Sequence, residues 1–299
     1  MCQRENMSLL FSEVLDSYKF SIIVDENTSF NVSDPKIFQN IYKNMKIKSL
    51  ELKFTSLVSQ GRVARETRGA VDTRFTSVLL TNTTITNDLI SFVYRSRLQL
   101  LQCNSLLHTY YATGKHCRLC NHPFETVSHV LNGCTKMQTI YQKRHNRIVD
   151  ILHSKIECVS SKKRVFKDKP LTPSLFHSTN NNNTFVTQCT RPDIVTVDEE
   201  NKHVIISEVT VPFDGFFIKA FQSKFDKYFP LSQEINALGY RTEIVVLIIG
   251  SLGNVHNKFV SGLLKNNINK SEAKYLAKYC STSAMLGSMF AWKKRCRLS

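Results

Sequence analysis

Four metal-ligating side chains fall within eighteen residues of this chain: Cys117, Cys120, His129 and Cys134, spaced Cys-x2-Cys-x8-His-x4-Cys. Thiolates two residues apart can grip one ion from a tight turn. A histidine and a cysteine four residues apart can return to it from the start of a helix. Three sulfurs and one nitrogen suit a closed tetrahedral zinc site, whose role is structural because it leaves no position for a reacting water. A small zinc knuckle is therefore expected over residues 116–136. His116 and His122 compete as ligands and rank behind His129, and the alternative is a chance grouping. The chain holds nine cysteines, an odd number that argues against a complete disulfide framework. Cys2, Cys103, Cys158, Cys189, Cys280 and Cys296 read as buried or incidental thiols of a reducing compartment.

The 299 residues, 42% hydrophobic, suffice for one large or two modest domains. Forty Lys+Arg against 24 Asp+Glu give a formal charge of +16, which attracts phosphate polymers or anionic membranes. No apolar run approaches the ~18 residues of a membrane span, and residues 1–10 lack the apolar centre of a signal peptide.

From Leu50 the pattern is helical, with a turn at Gly61 and with Arg62, Arg65, Arg68 and Arg74 close behind. Asn87 reads as an N-cap with Asp88 in the first turn, ahead of Leu89, Ile90, Val93, Leu98 and Leu101 at near-helical spacing. Arg95 and Arg97 in this helix are either a solvated face or a nucleic-acid contact. A further helix is expected over 137–156. Ten Lys/Arg, among them Lys143, Arg144 and Arg147, stand between 136 and 169 against three carboxylates; such a strip suits phosphate. Pro170, Pro173 and the Asn180–Asn183 run predict a loop. From Thr190 the pattern becomes α/β. Strands are expected over 194–197 and 203–211, then a helix over 216–238 that breaks at Pro230. An apolar strand over 243–249, buried on both faces, leads through Gly250-Ser251-Leu252-Gly253 to helices near 257–267 and 271–290 and a basic tail.

Asp193 opens the first of these strands and Glu208 stands in the second, with fourteen residues between them. Two antiparallel strands joined through Asp198–Lys202 would bring the carboxylates together, where such a pair can hold Mg²⁺. Glu208 interrupts an apolar strand, so it needs a partner or a metal. Lys224 and Lys227 lie three apart on the next helix and are either a solvated face or part of the same site.

Arg191-Pro192-Asp193 with the spaced carboxylate and lysine resembles the restriction-like branch of the PD-(D/E)xK nucleases. The usual lysine position, two after the second carboxylate, is Thr210 here. In the endonucleases of site-specific non-LTR retrotransposons the lysine comes from the following helix, and Lys224-Phe225-Asp226-Lys227-Tyr228 resembles that family's Lys-x-x-Lys-Tyr segment. The Cys/His cluster with Glu125-Thr126 ahead of His129, Arg144-His145-Asn146 and Gly250-Ser251-Leu252-Gly253 are similar to the same family in the same order, over residues 50 to about 270. The family favours Asp where Glu208 stands.

The resemblance implies an α+β protein: a helical thumb or linker-like nucleic-acid-binding region (1–115), the zinc knuckle (116–136), and a restriction-endonuclease-like mixed sheet flanked by helices (137–299). No Tyr/Phe-x-Asp-Asp polymerase core is present, so a C-terminal fragment or truncated element copy is expected. It implies a nuclear DNA endonuclease that nicks one strand to prime reverse transcription. Asp193 and Glu208 would hold catalytic magnesium, and Lys224, with Lys227 behind it, would serve the reacting phosphate. Arg62, Arg95, Arg97, Lys143, Arg144, Arg147 and Arg191 would meet nucleic acid. Target DNA and element RNA are the expected partners, with no membrane and no small-molecule substrate. The alternative is a zinc-containing DNA- or RNA-binding protein that has lost catalysis; a scaffold charged only for solubility ranks last.

Overall fold

A computed structural model describes residues 8–14, 17–25, 28–32, 35–76, 85–176 and 184–298. The Asn180–Asn183 run and Cys2 lie outside them. Two compact units are present, 1–58 and 59–299.

In the first unit, β1 (Ser8–Val14), β2 (Ser17–Asp25) and β3 (Thr28–Val32) form an antiparallel meander, followed by α1 (Pro35–Ser56). The expected helical N-terminal region is thus helical over 35–56 and a sheet over 8–32. β2 reads Tyr-Lys-Phe-Ser-Ile-Ile-Val, a β-branched and aromatic run that favours strand over helix. Pro35 suits the first helical position, where its missing amide costs nothing.

The second unit begins with α2 (Arg62–Glu66), α3 (Thr73–Thr76), α4 (Asn87–Arg97) and α5 (Asn104–Tyr111). The cap of α4 is Thr86, whose hydroxyl accepts from Leu89 N at 3.4 Å, one residue before the expected Asn87. α4 ends at Arg97, and Leu101 is buried from the loop beyond it. A π-helical turn, His129–Gly133, precedes α6 (Gln138–Val159).

The chain then forms a four-stranded mixed sheet in the order β4 (Arg164–Lys167), β5 (Ile194–Asp198), β6 (His203–Thr210), β7 (Arg241–Ile248). β4, β5 and β6 pair antiparallel, and β7 joins β6 in parallel through the crossover helix α7 (Phe217–Ala237). α8 (Phe259–Lys265) and α9 (Lys270–Leu298) close the unit. Every residue of β5 is buried, so its sequence shows no polar alternation. One core joins Ile194, Ile205, Val209 and Leu247 to Ile148 and Leu152 of α6 and to Ala277 and Met285 of α9. Val195, Val204 and Ile206 pack on the other face against Tyr228, Leu231 and Ile235 of α7. The sheet is thus sandwiched between helices. Period-two alternation puts Glu208 on the α7 face with Val204 and Ile206.

α7 runs unbroken through Pro230, contrary to the expected break. Pro230 is exposed while Tyr228, Leu231 and Ile235 anchor both halves to the sheet, and Ser232 Oγ donates to Phe229 O at 2.7 Å beside it. Packing outweighs the lost hydrogen bond. The expected basic tail is the last turns of α9, where Arg295 is buried.

Arg144 and Arg97, expected at a nucleic-acid surface, serve the interior instead. Arg144 is 5% exposed and donates to Leu131 O (3.1 Å), Ser288 Oγ (2.7 Å) and Val211 O (3.5 Å). Burial holds its pKa down at about 10. Gly287 makes room for it: a Cβ there would lie 2.7 Å from Arg144 Cγ. Arg97 donates to Leu252 O (2.8 Å) and Asn254 Oδ1 (2.9 Å), fixing the loop after β7.

Candidate functional site

Cys117 and Cys120 sit on a tight turn closed by two backbone bonds, Cys117 N to His122 O (2.8 Å) and Asn121 N to Cys117 O (2.9 Å). Asn121 takes the left-handed conformation the turn requires, φ +58°. Across from it the π turn is closed by Cys134 N donating to His129 O at 2.8 Å, and Thr126 Oγ1 accepts from His129 N at 3.1 Å. The four ligating atoms lie within 4.8 Å of one another. Cys117 Sγ is 3.9 Å from Cys134 Sγ, and Cys120 Sγ is 3.3 Å from His129 Nε2. With zinc bonds of about 2.3 Å to sulfur and 2.0–2.1 Å to nitrogen, tetrahedron edges of roughly 3.4–3.8 Å are needed. The set could hold a metal ion such as zinc. His122 stacks on the His129 ring (centroids 4.4 Å, 20°) and is not a member of the set. Burial, helped by His122, lowers the His129 pKa and keeps the ring in its neutral, ligating form.

Glu125 fastens this knuckle to its surroundings. Its fully buried carboxylate accepts from Asn104 N (3.0 Å), Arg118 N (3.1 Å) and the Arg295 guanidinium of α9. Arg144 and Asn132 tie the same region to the end of β6; Asn132 Nδ2 donates to Val211 O at 2.8 Å.

Near the same end of β6 the expected carboxylate pair converges. Ile194 faces Ser207 in the antiparallel register, so Asp193 falls opposite Glu208. Asp193 N donates to Glu208 Oε2 at 3.3 Å, and Val209 N donates to Asp193 Oδ2 at 2.8 Å. Lys224 Nζ reaches Glu208 Oε1 at 2.6 Å. Burial and the nearby Asp193 charge raise the Glu208 pKa, against the pull of Lys224. Lys227, exposed, lies one step out and donates to Tyr228 Oη at 2.8 Å. Tyr228 is buried and donates to Arg191 O at 3.0 Å, anchoring the chain just before Asp193.

Two groups in this cluster were not among the expected catalytic residues. His145 Nε2 lies 3.1 Å from Asp193 Oδ1, and both line a 310 Å³ cavity with Asn146, Asp150, Lys167 and Asp168. Tyr228 supports the strand entry as described. Both lie within segments that carry the family resemblance, which is the signal available in the sequence.

The remaining basic residues divide by exposure. Lys143, Arg147 and Arg95 are exposed. Arg191 is exposed but donates to Asp168 O (2.8 Å) and Oδ2 (3.0 Å). Arg62 pairs with Glu66 at 2.9 Å. Among the described residues no helix is long and apolar enough to cross a membrane. In comparisons with known proteins, no family profile and no curated protein matches the chain.

Proposed function

We propose that this chain is part of a non-LTR retrotransposon protein and acts as a metal-dependent endonuclease that nicks one strand of target DNA. The observation that carries this reading is the convergence of Asp193, Glu208 and Lys224 at one end of a mixed sheet. Two carboxylates on paired strands offer hard oxygen donors of the kind magnesium takes, so the residues fit that ion. Bound there, magnesium would act as a Lewis acid, acidifying water and neutralising charge on the scissile phosphate.

The protein's own groups divide the remaining work. His145 and Val209 N fix the two oxygens of Asp193. Lys224 places a cation beside the carboxylates, where negative charge grows on the phosphate. Lys227 is the reserve cation. Exposed Lys143, Arg147 and Arg95, within a net charge of +16, draw the DNA backbone in. The Cys117–Cys120–His129–Cys134 set binds structural zinc and, through Glu125 and Arg144, steadies the sheet that bears the site. Target DNA locates the activity in the nucleus, and element RNA is the second partner.

The test is conversion of supercoiled plasmid to relaxed circles with Mg²⁺ by the native chain and by Asp193→Ala. The proposal requires nicking by the first and loss by the second. Equal nicking by both would contradict it. A second reading, binding without cleavage, is favoured by one observation: Lys224 already occupies Glu208 Oε1. Salt-sensitive DNA binding by a chain that never nicks would establish that reading.

A further inference from the structure

A 320 Å³ cavity lies between α4, α5, the Cys117–Cys120 turn and the last turns of α9, remote in sequence from the carboxylates. Arg95, Arg118 and Arg295 line it together with Leu101, Leu107 and Trp292. Its charge is unbalanced. Arg118 (3.3 Å) and Arg295 both meet the one carboxylate of Glu125. Arg95 is exposed and forms no ion pair with the described residues. Arg295 is 3% exposed, yet its Nε is buried without a partner. Trp292, the only tryptophan of the chain, is half-buried, with the Arg295 guanidinium 4.5 Å from its ring centroid.

Guanidinium groups suit phosphate oxygens, and an aromatic ring backed by leucines suits a base. The volume falls in the range of small-ligand sites. We propose that this cavity takes one nucleotide unit of a single-stranded DNA, its phosphate between Arg95 and Arg118 and its base against Trp292. This rests on the nucleic-acid part of the proposed function and not on cleavage. It would give the protein a strand anchor separate from the carboxylate site.

Trp292 is itself the probe. The full zinc-loaded chain carrying Asp193→Ala, which removes cleavage, is titrated with a short oligothymidylate while tryptophan emission is read. A saturable change in emission is expected. Arg95→Glu should weaken it about tenfold, the loss of one charge-assisted contact. Arg95 is exposed, so Arg95→Gln should fold equally well and weaken binding less than the reversal. Three outcomes overturn the proposal. The oligothymidylate, carrying a fluorescent label, shows no binding by anisotropy. It binds without changing Trp292 emission and with equal affinity for Arg95→Glu. Or inorganic phosphate alone reproduces the full change and displaces the strand at equal concentration, making this a free-anion site. If the native chain never nicks plasmid while the titration behaves as expected, the nuclease reading fails and the anchor stands.

Discussion

Arg144 donates to Ser288 Oγ at 2.7 Å, so a side chain from the helix after the metal turn is locked into the last helix of the fold. Its other bonds reach the π turn and the segment following Glu208. Arg144→Ala should therefore lower stability by roughly 2–4 kcal/mol in urea unfolding, because three acceptors lose their donor inside the protein. Arg147→Ala, three residues on and exposed, should leave the urea midpoint unchanged. It should instead weaken DNA binding and reduce the salt slope by about 1. Matching effects from the two variants would refute this division of roles.

Lys224 and Glu208 form a part-buried pair that a double-mutant cycle can weigh. Lys224→Ala leaves Glu208, 2% exposed, without its cation and should cost about 1–3 kcal/mol at neutral pH. Lys224→Ala combined with Glu208→Gln should recover part of that loss, since the neutral amide needs no cation. Additive losses in the double variant would mean the two side chains are energetically independent.

The knuckle should hold one zinc per chain by elemental analysis. Cys134→Ala should lose that ion and cost on the order of 5 kcal/mol, because Cys134, the π turn and Met137 form part of the core beneath α6. A zinc-free chain that melts at the same temperature as the loaded one would show that the fold does not depend on the metal.

His256 makes stability pH-dependent. Burial, helped by Lys258, lowers its pKa from 6.5 to about 4, and its ring stacks on Phe221 at 5.7 Å. The unfolded chain therefore binds more protons between pH 6.5 and about 4, and this contribution to stability is lost as the pH falls through that window. Asp214, raised to about 6 by burial, acts in the opposite sense: its contribution is present at acid pH and is lost as the pH rises from 3.8 to about 6. Comparing the urea midpoint of native protein and His256→Gln from pH 4 to 7 separates the two. The variant should show the smaller loss on acidification; parallel curves would refute it.

Local spacing made the metal set legible, because Cys117, Cys120, His129 and Cys134 lie within eighteen residues and a turn must bring them together. The Asp193–Glu208 approach was legible for a similar reason: one hairpin register fixes it. Long-range burial was not. Arg144 and Arg147 stand one turn apart in the same basic strip, and only the arrival of Ser288 and Val211 distinguishes an interior clamp from a surface cation. Arg97 meets Leu252 and Asn254 from more than 150 residues away in the same manner. At Pro230 the local rule for proline is outweighed by the sheet contacts that hold α7 on either side of it.

Product analysis on a duplex end-labelled on each strand tests whether Asp193 and Glu208 support hydrolysis of a DNA strand. With Mg²⁺ the native chain should release one labelled strand, leaving a 3′-hydroxyl that a polymerase extends, and Asp193→Asn should release neither. Intact strands after incubation with folded, zinc-loaded protein, or identical products from Asp193→Asn, would contradict it.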